Sequence, residues 1–78
     1  MLTVPMMTQP DTLGKRVRLC RHAQGLRALT LAKMVDMTPN YLSLVEHDRK
    51  VPGLAMLQKL ATALQITTSQ LLGETPLF

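Results

Sequence analysis

Hydrophobic residues recur at helical spacing near the start of the chain. Leu13, Val17 and Cys20 stand four and three positions apart, so they lie on one face of a helix. Most of the charged residues around them fall on other faces, as expected for a helix that covers a core. Gly25 suits the left-handed backbone at which helices commonly end. The pattern therefore predicts a first helix over 12–24.

Two short helices are predicted next, over 28–35 and 39–47. Thr38 can cap the second of them by accepting hydrogen bonds from the free amides of its first turn. Pro39 suits the first helical position, where a missing N–H costs nothing. The short link over 36–38 gives this pair of helices the form of a helix-turn-helix.

A fourth and a fifth helix are predicted after a basic loop at 48–53 that contains a proline. The fourth spans 54–64, where hydrophobic residues form a single stripe. The fifth begins at Thr67, because Thr67 and Gln70 have the spacing of a capping box. No segment has the alternating pattern of a strand, so the sequence predicts an all-α fold.

The length of 78 residues allows a single domain. We divide the chain into an N-terminal arm over 1–10, a domain over 11–73 and a short tail over 74–78. A domain of this size has little left over once its core is built, which argues against an enzyme. Cys20 is the only cysteine, so a disulfide within the chain and a cysteine cluster for zinc are excluded. We expect no metal, no cofactor and a cytoplasmic location.

Basic residues outnumber acidic ones by nine to five, which gives a net charge of +4. This excess favours a polyanionic partner, either nucleic acid or an anionic membrane surface, although a solvated basic face would look the same. Only Tyr41 and Phe78 are aromatic, too few for a platform that stacks the bases of single strands. No helix combines a wide apolar face with a lysine-rich one, so a membrane partner is not expected.

Several motifs follow one another between Leu13 and Leu72. The most specific is the stretch YLSLVE over 41–46, followed by Arg49, Lys50 and Pro52. The others are LGKRVR over 13–18, Gly25-Leu26, Leu31-Ala32, Thr38-Pro39, Leu57, Leu60-Ala61, Leu64, Ile66-Thr67 and Leu71-Leu72. In this order the chain resembles the Cro/C1-type (XRE family) helix-turn-helix DNA-binding domain of the lambdoid phage repressors.

The resemblance implies a compact five-helix, lambda-repressor-like domain. It also implies a sequence-specific transcriptional regulator, a repressor that binds an inverted repeat in double-stranded DNA as a homodimer. The third helix would lie in the major groove and the second across the DNA backbone.

The resemblance places the following residues of the third helix at the DNA: Thr38, Pro39, Asn40, Tyr41, Ser43 and Leu44. Pro39, Asn40 and Leu44 would face the base edges. Only Asn40 carries an amide that can pair with adenine, whereas the other two offer apolar contact. The remaining residues carry hydroxyl groups that suit phosphate.

Residues on either side of these two helices are also implied to meet the DNA backbone. Arg49 and Lys50 follow the third helix, where the family's loop contacts phosphates. Arg27 and Ala28 stand where the family commonly has a small polar N-cap and a glutamine that touches DNA. Because arginine cannot cap a helix, we hypothesise that Arg27 binds a phosphate in place of the glutamine.

The family pattern also implies a buried ion pair between Arg21 and Glu46. Asp48 takes the place of the family's glycine after the third helix. Aspartate tolerates a left-handed backbone better than most residues, so we expect the fold to survive. An acid this near to phosphate is expected to weaken DNA binding.

The homodimer contact is expected to involve the last helix and the apolar end of the chain, that is Leu71, Leu72, Leu77 and Phe78. An alternative function is that of an antitoxin-type protein-interaction module whose DNA binding serves autoregulation. Its partner would be a toxin or another regulator, bound by the apolar arm over 1–7.

Overall fold

Three threonines begin helices by accepting hydrogen bonds from backbone amides of the first turn. The computed structural model describes residues 9–78, in which the hydroxyls of Thr12, Thr38 and Thr67 accept from the N–H three residues ahead at 3.0–3.1 Å. The Thr67 N–H also donates to Gln70 Oε1 at 2.9 Å, which completes the predicted capping box. Arg27 makes no side-chain cap, as predicted.

The five helices are α1 (Leu13–Ala23), α2 (Ala28–Met34), α3 (Pro39–Glu46), α4 (Leu54–Leu64) and α5 (Thr68–Leu71). Residues 9–78 contain no strand, which confirms the predicted all-α class. The first four helices agree with their predicted ranges to within one residue at each end, and Thr67, the predicted start of the fifth, is its N-cap. None of these helices is long and apolar enough to cross a bilayer. Residues 1–8, most of the predicted arm, lie outside the described residues.

Every helix ends in the same backbone geometry, the Schellman motif, whose two backbone hydrogen bonds close the last turn. The residue at the centre of each motif has a positive φ. Glycine fills this place after α1 and α5, at Gly25 and Gly73. Residues with side chains fill it after the other three helices: Asp36 (φ 56°), Asp48 (φ 59°) and Gln65 (φ 61°). The left-handed backbone expected at Asp48 is therefore present, at a conformational cost of about 1 kcal/mol.

The core lies where α3, α4 and α5 pack against α1, and α2 packs against α3. Its buried hydrophobic residues are Val17, Cys20, Leu31, Ala32, Val35, Met37, Leu42, Val45, Leu57, Leu60, Ala61, Leu64 and Leu71. Because Leu71 is completely buried, its predicted part in a homodimer contact is wrong. Packing of α5 on α1 and α4 turns Leu71 inward and leaves Leu72 facing solvent.

The start of α1 and the end of α3 approach each other at Gly14. A Cβ atom added at Gly14 would lie 2.6 Å from the carbonyl oxygens of both Val45 and Glu46. Such a distance is far inside van der Waals contact, so only glycine allows the two helices to meet here. This contact positions the end of α3, and the loop that follows it, against α1.

Candidate nucleic-acid interface

The turn between α2 and α3 is fixed at both of its ends. Met37 is buried, and its N–H donates to the carbonyl oxygen of Ala32 at 2.8 Å. Asp36 supplies the left-handed backbone that reverses the chain, and Thr38 caps the helix that follows. The result is the helix-turn-helix arrangement, with α3 held at a set angle to α2.

α3 has one face in the core and one in solvent. Leu42, Val45 and Glu46 are buried on the inner face. The remaining positions were predicted to face DNA: Thr38, Pro39, Asn40 and Ser43 are exposed, while Tyr41 and Leu44 are half-buried. The Tyr41 side chain packs against the core, so it serves the fold as well as the surface. The exposed groups are concentrated in the first half of the helix.

The residues predicted to contact the DNA backbone lie before α2 and after α3. Arg27, Arg49 and Lys50 are all exposed, whereas Ala28 is half-buried and packs against the core. The ion pairs within residues 9–78 are Lys15–Asp11, Arg21–Glu46 and Lys59–Asp36. Arg27, Arg49 and Lys50 belong to none of these pairs, so their charges are available to an outside anion.

Arg21 and Glu46 form a buried, two-pronged ion pair between α1 and α3. Arg21 Nε donates to Glu46 Oε2 at 2.7 Å, and Nη2 donates to Oε1 at 3.0 Å. A third donor, Nη1, reaches the carbonyl oxygen of Leu26 at 3.0 Å. The side chains are only 11% and 6% exposed. One guanidinium thereby joins α1, the segment before α2, and α3, and so holds the surface of α3 in place.

Asp48 makes contacts that the sequence did not reveal. Its Oδ1 accepts from the Gly14 N–H at 2.8 Å, and its Oδ2 accepts from the Thr12 hydroxyl at 2.7 Å. These two hydrogen bonds, with Thr12 the stronger influence, lower the pKa of Asp48 below its usual 3.8. The partners are 34 and 36 positions away, so no local motif signals them.

Both histidines are exposed, and the cysteine is part of the core. Among the described residues, no group of three or more His, Cys, Asp or Glu is arranged to hold a metal ion. His47 Nδ1 lies 2.7 Å from the carbonyl oxygen of Ser43, at the end of α3. Cys20 is buried, as predicted, and burial raises the pKa of its thiol.

Comparison with protein families gives a match over residues 16–71 to the helix-turn-helix family. The chain is 35% identical over 66 residues to the immunity repressor protein of Bacillus phage phi105. That alignment covers 85% of this chain and 46% of the repressor, so the chain spans about half the length of this relative.

Several solved structures resemble the fold. The restriction-modification controller protein C.AhdI from Aeromonas hydrophila has a TM-score of 0.72 and 37% identity, covering 76% of this chain and 89% of its own. The P22 c2 repressor, crystallised with a synthetic operator, has a TM-score of 0.79 and 29% identity. It covers 85% of this chain and 100% of its own.

Proposed function

Because the chain belongs to the helix-turn-helix family of the Cro/C1 type, we propose that it is a transcriptional regulator that binds double-stranded DNA. The observation that carries this proposal is the surface of α3, which is polar and exposed in its first half and flanked by cations that form no ion pair with any of the described residues 9–78. The P22 c2 repressor, similar over its whole solved chain, is bound to an operator in its crystal structure.

In the proposed complex α3 lies in the major groove. Asn40 is exposed in its first turn and carries the one side-chain amide on this surface that can pair with adenine. Pro39 and Leu44 contact apolar groups such as thymine methyls. The hydroxyl groups of Thr38, Tyr41 and Ser43 contact phosphates. Because this surface has a single amide that can recognise base edges, the shape of the DNA also contributes to specificity.

Salt-dependent affinity comes from cations at the ends of the two helices. Arg27 directly precedes α2, and Arg49 and Lys50 follow α3. All three are exposed and unpaired within residues 9–78, so each can bind a phosphate and release counterions. Ala28 lies in the same surface but offers no polar side chain.

We further propose that the protein is a repressor that acts as a homodimer on an inverted repeat. Leu72 and Phe78 are 38% and 52% exposed and supply apolar surface for a contact, and Leu77 is half-buried. The cytoplasmic setting expected from the single cysteine fits this function. The antitoxin alternative depends on the arm over 1–7, which lies outside the described residues.

The test is selection of bound sequences from a random pool of double-stranded DNA at near-physiological salt. We expect an inverted repeat with half-sites about 10 bp apart, since a symmetric dimer presents two copies of α3 one helical turn apart. Asn40→Ala is expected to relax the preference at one position of each half-site, and Lys59→Ala on α4 serves as the control. Recovery of no shared sequence would reject sequence-specific binding. Co-purification with a second small protein would favour the antitoxin alternative.

A further inference from the structure

Asp48 differs from the other two side-chain-bearing residues at helix ends. Asp36, Asp48 and Gln65 have nearly the same left-handed backbone, and each closes a Schellman motif. The Asp36 carboxylate points to solvent and reaches Lys59 only at 3.9 Å. The Asp48 carboxylate instead binds the start of another helix.

At the start of α1, Asp48 acts as a second N-cap. The Gly14 N–H is one of the amides that have no partner within a helix, and Asp48 Oδ1 accepts from it at 2.8 Å. Thr12 accepts from the Lys15 N–H at 3.1 Å and donates its own hydroxyl to Asp48 Oδ2 at 2.7 Å. The end of α3 and the start of α1 therefore share one hydrogen-bonded cap.

This shared cap restrains the two cations that follow it in the chain. The N–H groups of Arg49 and Lys50 point to the carbonyl oxygen of Leu44, at 2.8 and 3.3 Å. On the other side, Asp48 fastens the same loop to α1 through its hydrogen bonds with the Gly14 N–H and the Thr12 hydroxyl, at a place where only glycine allows α1 to come this close. The backbone of both cations is thus held from α3 and from α1 at once.

We propose that Asp48 is a positioning residue for DNA binding, which orders the loop so that Arg49 and Lys50 meet phosphates without a further loss of conformational freedom. This inference rests on the proposed function. It opposes the expectation drawn from the sequence, that an acid beside phosphate only weakens binding. Asp48 orders the loop, and its negative charge repels phosphate. These are separate effects, and different substitutions of Asp48 distinguish them.

Asp48→Asn and Asp48→Gly remove the same charge but differ in the cap. Asparagine keeps an oxygen for the Gly14 N–H and an amide N–H for the Thr12 hydroxyl, whereas glycine keeps neither. We expect Asp48→Asn to bind the selected operator at least as tightly as the unaltered protein. Asp48→Gly is expected to bind about tenfold more weakly than Asp48→Asn. For Asp48→Gly, the slope of log affinity against log salt concentration is expected to be smaller in magnitude by about 1–2, because two phosphate contacts weaken.

The matched control is the same pair of changes at Asp36, where the backbone is left-handed but the side chain caps nothing. Asp36→Asn and Asp36→Gly are expected to bind equally. All variants are compared at a temperature at which circular dichroism shows each to be folded. Equal affinity and equal salt slope for Asp48→Asn and Asp48→Gly would overturn the proposal.

A second measurement without DNA keeps the two proposals distinguishable. We expect NMR order parameters of the Arg49 and Lys50 amides to fall in Asp48→Gly and to stay unchanged in Asp48→Asn. Unchanged order in Asp48→Gly would overturn the role of Asp48 in ordering the loop. Failure of the unaltered protein to bind any DNA would overturn the proposed function, and with it the positioning of Arg49 and Lys50 for phosphate.

Discussion

Removal of the Glu46 carboxylate is expected to destabilise the fold strongly. Glu46→Ala leaves the Arg21 guanidinium, which is 11% exposed, without the acceptors now at 2.7 and 3.0 Å. Only the bond from Nη1 to Leu26 remains. Loss of one partner of a buried pair costs roughly 3–5 kcal/mol. A domain of this size is stable by only about 5–10 kcal/mol, so the change removes a large share of the total.

Thermal unfolding followed by circular dichroism measures the effect. A loss of about 3 kcal/mol corresponds to a fall in Tm on the order of 15 °C for a small domain. The double variant Arg21→Met, Glu46→Leu is expected to recover most of this loss, since it leaves no buried charge unpaired. Asp11→Ala, which breaks the exposed pair with Lys15, serves as the control and is expected to change little. A cost for Glu46→Ala below about 1 kcal/mol, as for surface pairs, would refute the reasoning.

Four further changes have defined outcomes. Gln65→Gly is expected to raise the free energy of unfolding by about 0.5–1 kcal/mol, because glycine adopts the left-handed backbone (φ 61°) without strain; urea denaturation tests this, and no gain would contradict it. Gly14→Ala is expected to lower that free energy by about 2 kcal/mol, because its Cβ would lie 2.6 Å from two carbonyl oxygens of α3. The folded state lowers the pKa of Asp48, so the ionised carboxylate stabilises the fold fully above its unfolded pKa near 3.8. This contribution is lost as the pH falls through the lower folded pKa. Asp48→Asn is therefore expected to reduce the loss of unfolding free energy at acidic pH. Arg27→Ala is expected to reduce the salt slope of DNA binding by about 1, with Lys33→Ala on the same helix as the control, and an unchanged slope would reject the phosphate contact of Arg27.

The helices and their ends were predictable because the signals are local. Thr38-Pro39 and the pair Thr67 and Gln70 act within one turn, and hydrophobic spacing needs only one helix to be visible. Asp48 was expected to accept the left-handed backbone on its own conformational preference, and it does so. The family resemblance, confirmed by the match over 16–71, added the order in which these pieces assemble.

The resemblance also indicated which residues of α3 meet DNA, and the tertiary structure shows how far each of them is exposed. Asn40 and Ser43 are exposed at the places where base and phosphate contacts were expected. Tyr41 and Leu44 are half-buried, since α3 packs against both α1 and α2. Their contact with DNA stays a prediction.

The sequence did not predict the contacts between segments that are distant along the chain. Leu71 was expected at a homodimer contact because it belongs to the apolar end of the chain. Packing of α5 on α1 and α4 buries it instead and leaves Leu72 exposed. Nothing in the sequence near Arg16 signals that its Nε donates to the carbonyl oxygen of Leu71 at 2.7 Å, a bond that joins α1 to the end of α5. The sequence indicates only that Asp48 ends α3, yet its carboxylate also caps α1. Sequence patterns record what a residue prefers within its own turn, whereas these contacts depend on which segments the packed core brings together.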